Sequence, residues 1–108
     1  MEVVVHEEAV AELLRLATRE RVAMAHAFEK LEAMGEALGF PHSAAVKGAP
    51  GLRELRPRRG NSPWRAFYRR IGEAAVVGSI GPEAQVDAKG FAKAVRLAKL
   101  RLSLEGSA

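Results

Sequence analysis

From Glu7 to Leu38 the chain contains no proline, and its apolar residues recur at helical spacing in two sets. Val10, Leu13, Leu14 and Ala17 form the first stripe; Val22, Ala25, Phe28, Leu31 and Leu38 form the second. The polar run Thr18-Arg19-Glu20-Arg21 breaks the phase between them, so the pattern predicts two helices, over about 7–17 and 20–37, folded back as a hairpin rather than one long helix. Gly39 and Pro41 end the second helix. Ahead of the pair, Glu2–Val5 is a β-branched run suited to an edge strand. After it, His42 to Pro50 reads as a loop holding Lys47 and Gly48.

The second half changes period. Leu52–Arg56 and Trp64–Ile71 carry the aromatic, Leu and Ile residues of a pleated surface, and Pro57, Gly60, Asn61 and Pro63 between them cannot continue a strand. These runs predict a β-hairpin. A tight turn at Gly72-Glu73 leads to the apolar run Ala74–Ile80, which reads as a strand covered on both faces and which Gly81-Pro82 stops. From Glu83 to Leu102 a helical pattern returns, and Leu104–Ala108 is expected to fray. An N-terminal strand and helical hairpin, a three-stranded antiparallel meander and a C-terminal helix make a single small α+β domain of 108 residues.

Charge sharpens this picture. Residues 1–39 hold eight acidic and four basic groups, net −4, whereas residues 40–71 hold eight basic and one acidic, net +7. Seven of the seventeen basic side chains lie between Leu52 and Ile71, all of them Arg. Guanidinium keeps its proton at working pH and presents a planar fork of donors matched to phosphate oxygens, so the predicted hairpin suits a nucleic-acid backbone. With no Cys, disulfides and thiolate metal sites are excluded and a reducing compartment fits. The acidic start MEVVVHEEAV lacks the basic residues of a signal peptide, and no apolar run is long enough to span a bilayer, so a cytoplasmic protein without membrane attachment is expected. His6 and His26 show no metal-ligand spacing, and neither a metal nor a cofactor is expected.

Gly39 with Pro41, Lys47-Gly48, the strand Gly51–Arg56 and the strand Trp64-Arg65-Ala66-Phe67-Tyr68 follow one another in an order that resembles the HigB-like, phage-derived branch of the RelE/ParE toxin superfamily. The resemblance implies a RelE-like fold and a type II toxin, neutralised by a cognate antitoxin encoded beside it, that cuts messenger RNA on the ribosome. It also implies phosphate binding by Arg65, with Arg56 and Lys47 joining it. Cleavage by the RNA's own 2′-OH further needs a proton acceptor, a cation at the phosphorus oxygens and an acid for the leaving oxygen. His42 titrates in the right range for the acceptor. Arg58 and Arg59 on the hairpin tip would reach the RNA, as would Arg53 and Arg69.

Members that cleave RNA place Lys, Arg, His or Tyr after the last strand. Here that stretch, Gly81 to Phe91, offers only Lys89. Two alternatives therefore stay open: a ParE-like toxin that targets gyrase without ribonuclease activity, and a catalytically silent RNA- or antitoxin-binding module. Strand alternation sets Arg65, Phe67 and Arg69 on one face and Trp64, Ala66, Tyr68 and Arg70 on the other, so Arg65 and Tyr68 share a cleft only if a bulge intervenes.

Overall fold

The computed structural model describes residues 1–106, with side chains through Ser103. β1 (Glu2–Val5) leads directly into α1 (Glu7–Leu14), whose first turn is capped by the His6 ring nitrogen Nδ1 accepting from the Glu8 N–H at 3.1 Å. α2 (Thr18–Met34) follows after a short break at 15–17, the predicted polar run forming its first turn, and a 3-10 turn over Gly35–Ala37 finishes it. The helical hairpin is thus as expected, with slightly earlier ends.

The loop expected from His42 to Pro50 contains instead a strand, β2 (Ser43–Ala45), which pairs antiparallel with β3 (Arg53–Leu55). Three small residues carry no periodic signal, and neighbouring β3 supplies the ladder that makes them a strand. β4 (Trp64–Ile71) and β5 (Ala74–Pro82) complete the antiparallel meander, and α3 (Ala88–Gly106) closes the chain. The last helix starts later than predicted because the Asp87 carboxylate caps it, accepting from the Gly90 N–H at 2.9 Å. The fraying expected from Leu104 to Ala108 falls largely outside the described residues.

The five strands form one sheet in the order β1-β5-β4-β3-β2, with β1 parallel to β5. β5 is flanked on both edges and covered on both faces, as its apolar run predicts. One face, with Ala66, Tyr68, Val77 and Ile80, packs beneath α1 and α2 against Met24 and Leu31; the other, with Phe67 and Val76, packs against Ala94, Ala98 and Leu102 of α3. Phe67 meets Phe91 edge-on at 5.2 Å between ring centroids.

Two glycines let α3 settle this close. A Cβ on Gly78 would lie 2.8 Å from Leu102 Cγ, and one on Gly81 would collide with the Ala94 methyl. Gly78 is also where β5 bulges: Phe67 pairs Ser79 but Tyr68 pairs Val77, leaving the residue between them unmatched. β1 no longer covers that edge, and side chains satisfy it instead. Arg101 donates to the Gly78 carbonyl at 2.8 Å, and the Glu12 carboxylate accepts from the Ile80 N–H at 3.0 Å.

Candidate functional site

Arg56, just past β3, and Arg65, on β4, face the same side of the sheet, beside the start of α3. They line a cleft of about 210 Å³ together with Glu54, Glu83 and Phe91. Strand pairing explains the meeting. Glu54 stands opposite Phe67, so Arg65, two residues back on the same face of β4, lies on its diagonal, while Arg56 continues the Glu54 face past the end of β3.

The two guanidiniums have different surroundings. Arg65 is 1% exposed and its terminal nitrogens are taken, whereas its buried Nε makes no hydrogen bond: Nη1 donates to the Ser62 carbonyl at 2.7 Å and the Trp64 carbonyl at 3.0 Å, and Nη2 donates to Glu83 at 2.9 Å and the Gly60 carbonyl at 3.4 Å. Its Nε faces Glu54 at 3.5 Å. Burial, reinforced by the nearby Arg56 charge, pulls the Arg65 guanidinium below its ordinary pKa, and Glu54 and Glu83 oppose that pull. The side chain expected to offer its fork to a phosphate thus offers it to backbone carbonyls and two carboxylates.

Arg56 is only partly buried. Its Nε approaches Glu54 at 3.7 Å without a hydrogen bond, and its guanidinium lies 5.2 Å from the centre of the Phe40 ring. The Arg56 N–H donates to the His42 carbonyl at 2.8 Å, which sets His42 beside it on the α2 side. Burial, with Lys30 and Arg59 nearby, lowers the His42 pKa from its ordinary value. The structure therefore brings Arg56 and His42 together.

The remaining expected residues are dispersed. Lys47 is exposed beyond the opposite end of the β2–β3 pair, on the order of 15 Å from Arg56 by strand rise. Arg53 points to the α2 face, where its Nε donates to Ser43, whose hydroxyl shares a 2.6 Å hydrogen bond with Tyr68. Arg69 sits near Ala98 and Lys99 of α3, and Lys89 is exposed in the first turn of that helix. Arg58 and Arg59 occupy the turn between β3 and β4. Arg58 pairs with Glu20 of α2 at 2.8 Å, and Arg59 is exposed. Tyr68 does not join Arg65: the bulge falls on β5, so alternation along β4 is kept and Tyr68 stays in the core under α2.

Sequence reading missed Glu83 as a partner of Arg65 and missed the contribution of α2. The Glu54–Arg65 pairing was available from strand register; Glu83 follows the last strand after a bulge, where no spacing rule reaches it. Among the described residues no group of three or more His, Asp or Glu is disposed to hold a metal ion, and no helix is long and apolar enough to cross a membrane.

Residues 11–80 match the family described as phage-derived protein Gp49-like (DUF891). No curated protein matches the sequence. Among solved structures, a mutant of the E. coli toxin RelE in the free state is similar with a TM-score of 0.60 at 20% identity, covering 88% of this chain and 94% of that one. RelE in the intact E. coli RelBE toxin–antitoxin complex gives a TM-score of 0.57 at 20% identity over 76% and 95% of the two chains. An archaeal RelE–RelB complex from Pyrococcus horikoshii OT3 gives 0.55 at 19% identity over 75% and 92%. At such identities the likeness is one of fold.

Proposed function

This chain belongs to the phage-derived Gp49-like family and has the RelE toxin fold, and on that premise we propose that it is the toxin of a type II toxin–antitoxin pair, cutting messenger RNA on the ribosome. The structures of RelE bound to RelB support a cognate antitoxin as its partner. The observation that carries the RNA-directed reading is the pairing of Arg56, whose guanidinium is partly open, with His42 on one groove, where burial and the Lys30 and Arg59 charges favour the neutral imidazole. A neutral imidazole accepts the 2′-OH proton, and an open guanidinium gathers the charge that develops on the phosphorus oxygens. In this reading Arg65 is a positioning residue that fixes Glu54, Glu83 and the Ser62–Trp64 backbone. Lys47, Arg53, Arg69 and Lys89 contribute only to the surrounding field.

One observation favours a second reading, the catalytically silent module: Glu54 and Glu83 cancel the two Arg charges of the cleft. Induced expression separates the possibilities. Growth arrest with transcripts cut within codons, lost in Arg56→Ala and in His42→Gln, is the expected result. Intact transcripts with cleaved DNA–gyrase complexes would replace it with the gyrase-directed reading, and undisturbed growth with the silent one.

A further inference from the structure

We propose that the pocket between the C-terminal end of α2 and the middle of the sheet binds a monocarboxylate with a compact apolar body, gripped by the Arg53 guanidinium and the Tyr68 hydroxyl. The site goes beyond the RNA-directed reading: its lining shares Leu38 with the groove of Arg56 and His42, and no charged residue.

Strand register builds the donors. Arg53 on β3 stands opposite Tyr68 on β4, and Ser43 on β2 stands opposite Leu55, diagonal to Arg53 on the same face. Ser43 is fully buried; its Oγ accepts from Arg53 Nε at 2.9 Å and shares a hydrogen bond of 2.6 Å with the Tyr68 hydroxyl. No other acceptor among the described residues receives the Ser43 hydrogen, so the arrangement that strands no buried donor has Ser43 donating to Tyr68. The Tyr68 hydrogen is then unspent, at the edge of a pocket that Tyr68 lines.

Arg53 is oriented but not used up. Ser43 fixes its Nε, while its two terminal nitrogens make no hydrogen bond or ion pair among the described residues and are not sealed from solvent. Arg65 shows the contrast: a guanidinium serving architecture spends both terminal nitrogens on carbonyls and a carboxylate. A planar fork held at its Nε and open at its tip receives a carboxylate through two parallel bonds, and an orientation fixed in advance lowers the cost of binding.

The walls set the rest of the ligand. The pocket has a volume of about 390 Å³, room for a small organic molecule, and Leu31, Leu38 and Ala75 give it apolar sides. The other charges at its rim cancel: Arg70 pairs with Glu36 at 2.6 Å and donates its Nε to the Gly72 carbonyl at 2.8 Å. Arg53 remains as one uncompensated positive charge, which suits a monoanion. A phosphate dianion would bring a second charge beside Glu36 with no cation to meet it, and a polynucleotide would find no track of cations to follow. A free organic acid and the carboxyl end of a peptide both present the matching chemistry.

The test titrates the ¹⁵N-labelled full chain with N-acetyl-L-leucine and follows backbone and Arg Nε resonances by NMR. Saturable shifts confined to the pocket, Arg53 Nε included, are expected with a Kd of about 0.1–1 mM. N-acetyl-L-leucinamide, which lacks the charge, should bind roughly tenfold more weakly or worse. Arg53→Met should weaken the acid by about tenfold or more, Arg53→Lys, which keeps the charge without the fork, by about threefold, and Tyr68→Phe by about threefold. Arg69→Met removes a charge from the opposite face of the sheet and should leave affinity within about twofold. Acid and amide binding alike to the unmodified chain overturns the proposal whether or not any variant folds. So do shifts that never saturate, undiminished affinity in Arg53→Met, and a preference for inorganic phosphate over the acid. Tighter binding of 4-methylpentanoate than of acetyl-Gly-Gly-Leu assigns a free acid, and the reverse assigns a peptide carboxyl terminus. A chain that holds the acid but cuts no transcripts loses the RNA-directed reading alone; one that cuts transcripts but ignores the acid loses this pocket alone.

Discussion

Arg65 and Arg59 belong to the same Arg-rich stretch, yet the fold puts them to opposite uses. Arg65 lies at the base of the hairpin, buried, with carbonyls and two carboxylates around its guanidinium. Arg59 stands at the tip, exposed, beside Lys30 and Arg56 across an apolar floor. The difference arises from position along the hairpin: the base is overlaid by Glu83 and the start of α3, while the tip projects past them toward α2. A count of basic residues cannot separate such cases. A buried guanidinium with filled terminal donors holds architecture together, whereas an open one beside other cations attracts an anion.

The largest expected effect breaks the base. Arg65→Ala leaves Glu54 and Glu83 facing a void and should cost about 3–5 kcal/mol, the usual consequence of removing one partner of a buried pair, read as a lower urea midpoint. Glu83→Gln, which weakens one side of the same arrangement, should cost about 1–3 kcal/mol in that assay. At the tip, Arg59→Ala should change stability by no more than about 0.5 kcal/mol while weakening oligonucleotide binding.

The smallest effect concerns Glu20, whose ion pair with Arg58 ties the turn to α2. Because the folded-state pKa of Glu20 is depressed, its contribution is present above the ordinary carboxylate range and is lost as pH falls through the folded-state value. Glu20→Gln should flatten that acid limb of the stability profile by under about 1 kcal/mol, since the Arg58 partner is partly exposed. An unchanged limb would remove Glu20 as the pin of the turn.

Much of the architecture was legible because long periodic segments report their own burial. The two stripes of the helical hairpin, the apolar run of β5 and the breakers between β3 and β4 each have one physical meaning. β2 was not legible, since Ser43–Ala45 becomes a strand only by pairing with β3. Neither was the bulge at Gly78, which depends on how closely α3 approaches. For the site, strand alternation set Arg65, Phe67 and Arg69 on one face of β4, but alternation says nothing about what fills the space above. Glu83 reaches Arg65 from beyond the end of a strand, and no spacing along the chain announces that ion pair.

The most direct test measures two properties of one variant. Arg65→Met, which retains the bulk of the side chain without its charge, should be less stable to urea than the unmodified chain and, below its unfolding transition, should bind hexauridylate with unchanged affinity. Undiminished stability together with lost affinity would contradict the account and return Arg65 to the RNA.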